Sequence, residues 1–219
     1  MSEFIDTHDK DYMEGLRLFY LKQYTQATAL LTAAAERGSV KAQHFLAMMY
    51  ENGNGVERDF SRAAYWYGMT AEHGDREAQL TYSMICALGK GIEPDIAKAC
   101  HWATVSLHQG NAKAAQTLQI LRAQAGEAAA AATRAFIAAS EKGDREEAAR
   151  QLQIAAECGD ANAQFAYYRL LYNGDGEGEE AEEARRSALL WLQDAAAQGH
   201  AEAAKLLKEG FEHPEAPAV

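Results

Sequence analysis

The chain has 219 residues, and its 21 Lys and Arg against 32 Asp and Glu give a net charge of −11. So acidic a chain lacks the clustered cations that a nucleic-acid backbone requires, and we expect no nucleic-acid partner. Three cysteines are too few for a framework of disulfides, and no stretch reaches the roughly 18 apolar residues of a membrane span. The first 15 residues contain no signal segment. These three observations together predict a cytoplasmic protein without a membrane partner.

The first predicted element is a helical hairpin over residues 9–38. Its bend falls at residues 22–24, without a Gly-x-Gly sequence. Gly38 ends its second helix, because glycine accepts a positive φ angle without a Cβ clash.

Residues 39–110 are one 36-residue unit written twice, as 39–74 and 75–110. Superposing the copies without a gap aligns Ala42-Gln43 with Ala78-Gln79, Gly53-x-Gly55 with Gly89-x-Gly91, Asp59 with Asp95, and Trp66 with Trp102. A period of this length is typical of a solenoid repeat. Each unit is predicted to be a helix, a glycine turn and a second helix, with Ser39 and Asp75 capping the first helices and Asp59 and Asp95 the second.

The order Ala-Gln, Tyr50, Gly53-x-Gly55, Asp59, Ala63, Trp66 and Gly74 resembles the Sel-one-like repeat, a relative of the tetratricopeptide repeat. This resemblance implies an all-α fold, a right-handed α/α superhelical solenoid, that acts as an adaptor between proteins. The structural repeat positions are Gly53, Gly55, Trp66, Gly74, Gly89, Gly91, Trp102, Gly110, Trp191 and Gly199.

After Gly110 the pattern weakens and then starts again. Residues 111–124 form a further predicted first helix, but the glycine turn and the tryptophan are missing. At an offset of 121 residues, the segment 127–159 matches the first hairpin and 160–199 matches a full repeat with four inserted residues. We therefore predict a first array over 1–125, a second over 126–212 with a capping helix at 200–211, and a disordered tail at 213–219.

Several motifs that suggest chemistry have a structural alternative. Gly89-Lys90-Gly91 follows a helix, whereas a phosphate loop follows a strand, so a turn is favoured. The segment from Asn173 resembles half of a calcium loop, yet Ala184 stands where the bidentate glutamate belongs. The seven histidines show no paired metal-ligand spacing. We expect no catalytic residue, no metal and no cofactor.

A binding surface is implied by the resemblance. In tetratricopeptide-like stacks the first helix of each pair lines the concave side, and positions beside its packing stripe face the partner. The alternative is that these residues pack against the adjacent helix. The partner-binding candidates are Tyr12, Leu16, Phe19, His44, Met48, Leu80, Met84, Phe165, Arg169 and Tyr172.

This set of candidates is largely apolar and contains two methionines, which adapt to irregular partners. We hypothesise a scaffold that holds a protein or peptide, with the acidic charge favouring a basic partner. A second hypothesis is a protein that neutralises a toxin or effector. A third is a hydrolase-like enzyme, which a deep pocket with paired titratable groups would favour.

Overall fold

A computed structural model describes residues 10–174 and 178–209 of the chain. These residues contain no strand and form twelve helices: α1 Lys10–Tyr20, α2 Tyr24–Glu36, α3 Val40–Asn52, α4 Phe60–Glu72, α5 Arg76–Leu88, α6 Ile96–His108, α7 Lys113–Gln124, α8 Gly126–Glu141, α9 Arg145–Glu157, α10 Ala161–Tyr172, α11 Glu179–Ala197 and α12 Ala201–Glu209. Helices pack in consecutive pairs, so the predicted all-α fold of repeated helix pairs is confirmed.

The chain divides into two units between Leu121 and Arg122, within α7. The first unit holds α1–α6 and most of α7, and the second holds α8–α12. From the sequence we placed the join between the two arrays at residue 126. The predicted tail at 213–219, Phe211 of the capping helix and Gly176 of the last glycine turn lie outside the described residues.

The helix starts are fixed by side-chain caps. The Ser39 hydroxyl accepts a hydrogen bond from the Ala42 amide at 3.3 Å, and the Asp75 carboxylate accepts one from Ala78 at 2.8 Å. Asp59 and Asp95 cap the second helices in the same way. All four predicted caps are confirmed, and each satisfies an amide that the first turn of a helix leaves without an intrahelical partner.

The glycine turns are where one repeat touches the repeat before it. Gly55 and Gly91 have φ angles of 72° and 82°, which strain residues that carry a Cβ atom. A Cβ on Gly55 would lie 2.6 Å from the Tyr24 carbonyl oxygen, and one on Gly91 would lie 2.5 Å from the Ser61 nitrogen. In both cases the turn lies against the start of the preceding second helix. We call these two contacts the glycine joints.

Buried glutamine amides form another link between neighbouring helices. Gln43 and Gln79 donate from Nε2 to the carbonyl oxygens of Ala35 and Ala71, each at 3.2 Å. In the second unit, Gln164 makes the same hydrogen bond to Ala156 at 2.9 Å. Each of these carbonyls lies in the last turn of the helix before it and also accepts from the amide of the glycine that follows, so the glutamine adds a bond between the two helices. The sequence showed these glutamines as repeat positions but not what they bind.

The three tryptophans lie on the second helix of their repeats. Trp66 packs against the apolar cluster of the first hairpin and repeat. The ring of Trp102 meets that of Tyr82 edge-on at 5.9 Å, and Trp191 meets Tyr167 in the same way at 5.4 Å. Tyr82 and Tyr167 occupy equivalent positions of their repeats, so Trp102 and Trp191 meet the same aromatic neighbour.

Replacing Gly91 by alanine tests the glycine joint. We expect Gly91→Ala to lower the free energy of unfolding by about 2–4 kcal/mol, because left-handed strain and steric overlap with the backbone of Ser61 act together. Urea denaturation followed by tryptophan fluorescence measures the change.

Gly74→Ala is the matched control, because Gly74 has a φ angle of 88° and nothing within 4 Å of an added Cβ. Only the strain applies there, so we expect a loss of about 1–2 kcal/mol. Equal losses for the two variants would show that the contact with the preceding helix contributes nothing.

Candidate partner-binding surface

The sequence-predicted partner residues differ in how far solvent reaches them. Tyr12, Leu80 and Phe165 are buried, and Met84 and Arg169 are exposed. The other five are half-buried: Leu16, Phe19, His44, Met48 and Tyr172.

The buried candidates pack against neighbouring helices. The ring of Tyr12 lies 6.4 Å from that of Phe45 on α3, and Phe165 stacks on His200 at 4.4 Å. Leu80 is covered as well, although Met84 one turn further along α5 is not. These three residues therefore contribute to the interior of their unit and are not available to a partner in this conformation.

A row of apolar side chains in the first unit remains accessible. Met48 on α3, Met84 on α5 and Ile120 on α7 are spaced by 36 residues and so occupy one repeat position. Met84 is 49% exposed and Ile120 is 54% exposed. Leu88, one turn beyond Met84, is 72% exposed. We call Met48, Met84, Leu88 and Ile120 the apolar row.

Ile120 was not among the sequence-predicted residues. The segment 111–124 was predicted to be a further first helix without the glycine turn and the tryptophan, but no partner-binding residue was predicted on it. The spacing of 36 residues from Met84 was the signal that would have identified it. Since α7 supplies Ile120, it acts as a third first helix although no complete repeat follows it.

A polar cluster links two consecutive repeats of the first unit. The Lys90 ammonium lies 2.8 Å from Glu51 Oε1, and the Tyr67 hydroxyl donates to Glu51 Oε2 at 3.0 Å. Lys90 also lies over the ring of Phe60, 4.5 Å from its centre. The lysine of the Gly-Lys-Gly turn thus ties its turn to the end of α3 and the start of α4. A turn at this position, rather than a phosphate loop, is what the sequence favoured.

The charges of this cluster follow from its contacts. Burial would raise the pKa of Glu51, but hydrogen bonds from Lys90 and Tyr67 outweigh it and hold the pKa below its ordinary value. Burial, with the nearby Glu51 carboxylate, raises the pKa of Tyr67 well above its usual range. Glu51 is therefore ionised and Tyr67 protonated near neutral pH, which is the state their hydrogen bond requires.

A cleft of 680 Å³ opens beside the first glycine turn, next to Tyr50 and the start of α4. The side chains of Arg62, Asp59 and Ser61 in its lining are engaged in structural contacts. Arg62 donates to the Tyr50 hydroxyl at 3.2 Å and pairs with Asp59 at 3.4 Å, while the Ser61 hydroxyl donates to the Gly91 carbonyl at 2.8 Å. The Ser61 hydroxyl thus stabilises the glycine joint at Gly91, and it donates to a backbone carbonyl and not to a general base.

The three cysteines lie inside the helix pairs. Cys86, Cys100 and Cys158 are all buried. Burial raises the pKa of Cys86 to about 11, so its thiol stays protonated and is a poor nucleophile. Within 10–174 and 178–209, no group of His, Cys, Asp and Glu is spaced to hold a metal ion. Across the same residues, no helix has the length and hydropathy needed to span a bilayer.

Comparison with known proteins gives a family and a fold. The Sel1 repeat family model matches residues 12–39, 40–75, 76–111 and 161–200. No curated protein matches the chain.

Three solved structures are similar to the chain. A protective antigen from uropathogenic Escherichia coli with an SLR fold is 24% identical with a TM-score of 0.50; the match covers 88% of this chain and 46% of that one, so this chain spans about half its length. A Sel1 repeat protein from Oxalobacter formigenes is 24% identical, with 94% of each chain covered and a TM-score of 0.48. An immunity protein from Pseudomonas aeruginosa is 22% identical, with 94% and 72% covered and a TM-score of 0.38.

Substituting Glu51 by glutamine tests the polar cluster. We expect Glu51→Gln to lower the free energy of unfolding at pH 7 by about 1 kcal/mol, because two hydrogen bonds lose their charged acceptor. Since the folded state holds the pKa of Glu51 below its unfolded value, this stabilisation is complete above the unfolded pKa. It disappears as the pH falls through the folded pKa.

Urea denaturation of both proteins between pH 7 and pH 3 measures this difference. Glu77→Gln is the control, because Glu77 is exposed and its contact with Lys113 is 3.7 Å long. A stability difference for Glu51→Gln that stays constant over the whole pH range would contradict the assignment.

Proposed function

Because the chain belongs to the Sel1 repeat family, we propose that it is a non-enzymatic scaffold that binds a partner protein on the first helices of its helix pairs. Sel1 repeat proteins are generally protein-interaction scaffolds that lack catalytic activity. The partner surface proposed for this chain is the apolar row of the first unit, extended by the half-buried His44 at the start of the same helix face.

The observation that carries this proposal is the periodic exposure of the apolar row. A single exposed apolar side chain is ordinary, but here three consecutive first helices carry an apolar side chain at the same repeat position, half-buried at Met48 and exposed at Met84 and Ile120. Methionine and leucine side chains adapt their shape to a partner. The glycine joints and the buried glutamines fix the helices that carry them, so the partner meets a preformed surface and little ordering cost accompanies binding.

Charge adds a preference for a basic partner. Residues 1–121 carry 11 Lys and Arg against 14 Asp and Glu, and residues 122–219 carry 10 against 18. The net charges are thus −3 and −8, and a basic partner is drawn to the chain before any contact forms. Raising the salt concentration screens this attraction and slows association.

The double variant Met84→Gln/Ile120→Gln tests the apolar row. The immobilised chain is incubated with a lysate of its native host, and the protein retained by the wild type is quantified by mass spectrometry for each variant. We expect the double variant to retain at least tenfold less partner, because two exposed apolar side chains that the partner would cover are lost. Its free energy of unfolding should stay within about 0.5 kcal/mol of the wild type, since both side chains are exposed.

Tyr65→Gln is the matched control. Tyr65 is 59% exposed and apolar, but it lies on α4, a second helix, and not on the proposed surface. The proposal requires that Tyr65→Gln retain the partner at the wild-type level. It fails if the double variant binds as well as the wild type, or if both variants lose the partner equally.

A further inference from the structure

A cavity of 230 Å³ lies within the second unit and is lined by residues of α8, α9 and α10. Its walls are mainly apolar and include Phe136, Leu152, Ala163 and Ala166. Thr133, Asp160 and Asn162 supply the polar part of the lining. It is open to solvent on one side, since Asp160 and Phe136 are only partly buried.

The first unit contains the same arrangement with a different filling. At the offset of 121 residues, α1, α2 and α3 correspond to the second half of α8, to α9 and to α10. The positions of Ala166 and Thr133 are occupied there by Phe45 and Tyr12. The Phe45 ring lies 5.3 Å from the ring of Phe19 and packs against the core cluster that contains Leu31.

The second unit therefore has a space where the first has an aromatic ring. Phe45, Tyr12 and Phe19 of the first unit are replaced by Ala166, Thr133 and Ser140. Phe136 stands where the first unit has Gly15, and its ring occupies part of the space that the three smaller side chains leave. The cavity is the part that stays empty. Because α2 and α9 both have 13 residues, and α3 and α10 have 13 and 12 and both begin at a side-chain cap, the cavity lies between helices equivalent to those that pack around Phe45 in the first unit.

We propose that this cavity receives an aromatic side chain of a partner protein, inserted between α8 and α10. An apolar cavity of about 150 Å³ is enough to bind benzene, so a phenyl ring fits a cavity of 230 Å³. The inference names the partner chemistry of the proposed scaffold and rests on that function. It concerns the second unit, whereas the apolar row lies in the first.

Asp160 favours a particular charge on the partner residue next to the aromatic one. Its Oδ1 accepts from the amides of Asn162 and Ala163 at 2.9 and 3.0 Å, and its Oδ2 accepts from the Thr133 hydroxyl at 3.2 Å. These contacts hold a carboxylate at one end of an otherwise apolar cavity. A lysine or arginine next to the aromatic residue is therefore favoured, in agreement with the net charge of this half of the chain.

Two capped dipeptides test the inference on the full chain. The probes are acetyl-Phe-Lys-amide and acetyl-Ala-Lys-amide, titrated while the methyl resonances of Ala163 and Ala166 are followed by NMR. We expect the phenylalanine peptide to shift both resonances and to bind at least tenfold more tightly than the alanine peptide, because only the phenyl ring fills the cavity. Equal binding of the two peptides, or no shift at these methyl groups, overturns the inference.

Two variants test whether the peptide binds inside the cavity and beside Asp160. Ala166→Phe recreates the filling of the first unit and should abolish binding of the phenylalanine peptide, while circular dichroism confirms that the helices remain. Asp160→Asn keeps the helix cap and should weaken this peptide about two- to fivefold, without changing the affinity of acetyl-Phe-amide. Undiminished binding of acetyl-Phe-Lys-amide to folded Ala166→Phe would place the peptide elsewhere.

The outcomes also separate this inference from the scaffold function. If the dipeptides do not bind while Met84→Gln/Ile120→Gln still loses the native partner, the cavity proposal is wrong and the scaffold proposal stands. If the dipeptides bind but the double variant keeps its partner, the proposal that the apolar row binds the partner is wrong. Sedimentation of the wild type and of Ala166→Phe adds one more outcome: self-association that only the wild type shows would assign the cavity to a second copy of this chain and overturn the proposal.

Discussion

The close contact between the backbone of one repeat and the backbone of the repeat before it is the constraint on which this structure depends. At Gly55 and Gly91 the main chain of a turn lies against the first turn of the preceding second helix, where no side chain fits. At the other end of each first helix, a buried glutamine amide binds the carbonyl of the previous helix. These contacts use backbone atoms and fully enclosed side chains. The outward-facing residues are therefore free to differ from repeat to repeat without altering the geometry.

Because the contacts between helices do not involve the outward-facing residues, the same repeat can carry different sites. In the first unit the space between the first helices is filled by Phe45, and accessible apolar side chains lie along the apolar row. In the second unit Ala166 leaves that space open, and Arg169 stands at the repeat position of Met48 and Met84. The helices that carry these residues, α3 and α10, keep nearly the same length, 13 and 12 residues, and both begin at a side-chain cap. Function in such a chain is decided by a few substitutions on a constant frame.

The sequence was sufficient for the features that depend on neighbouring residues in the chain. Caps such as Asp59 and helix ends such as Gly53 are local, and so is the period of 36 residues that divides the repeats. It was not sufficient for features that depend on a second helix. Whether a first-helix residue such as Tyr12 is covered is decided by the aromatic rings of α3, and no sequence window contains both. The cavity beside Ala166 is bounded by α8, α9 and α10 together, so it too depends on helices that no single sequence window contains.

The buried glutamines also bear on how the chain is made. Each amide reaches back only eight residues, from Gln43 to Ala35, from Gln79 to Ala71 and from Gln164 to Ala156. The longer contact from Ser61 to Gly91 spans 30 residues. Gln164 also accepts from Gln198 Nε2 at 2.6 Å, 34 residues further along the chain. The bond from each glutamine back to the preceding helix is nevertheless local in the chain and needs only the helix that carries it and the one before. Contacts of such low sequence separation favour fast docking of each first helix on the helix before it.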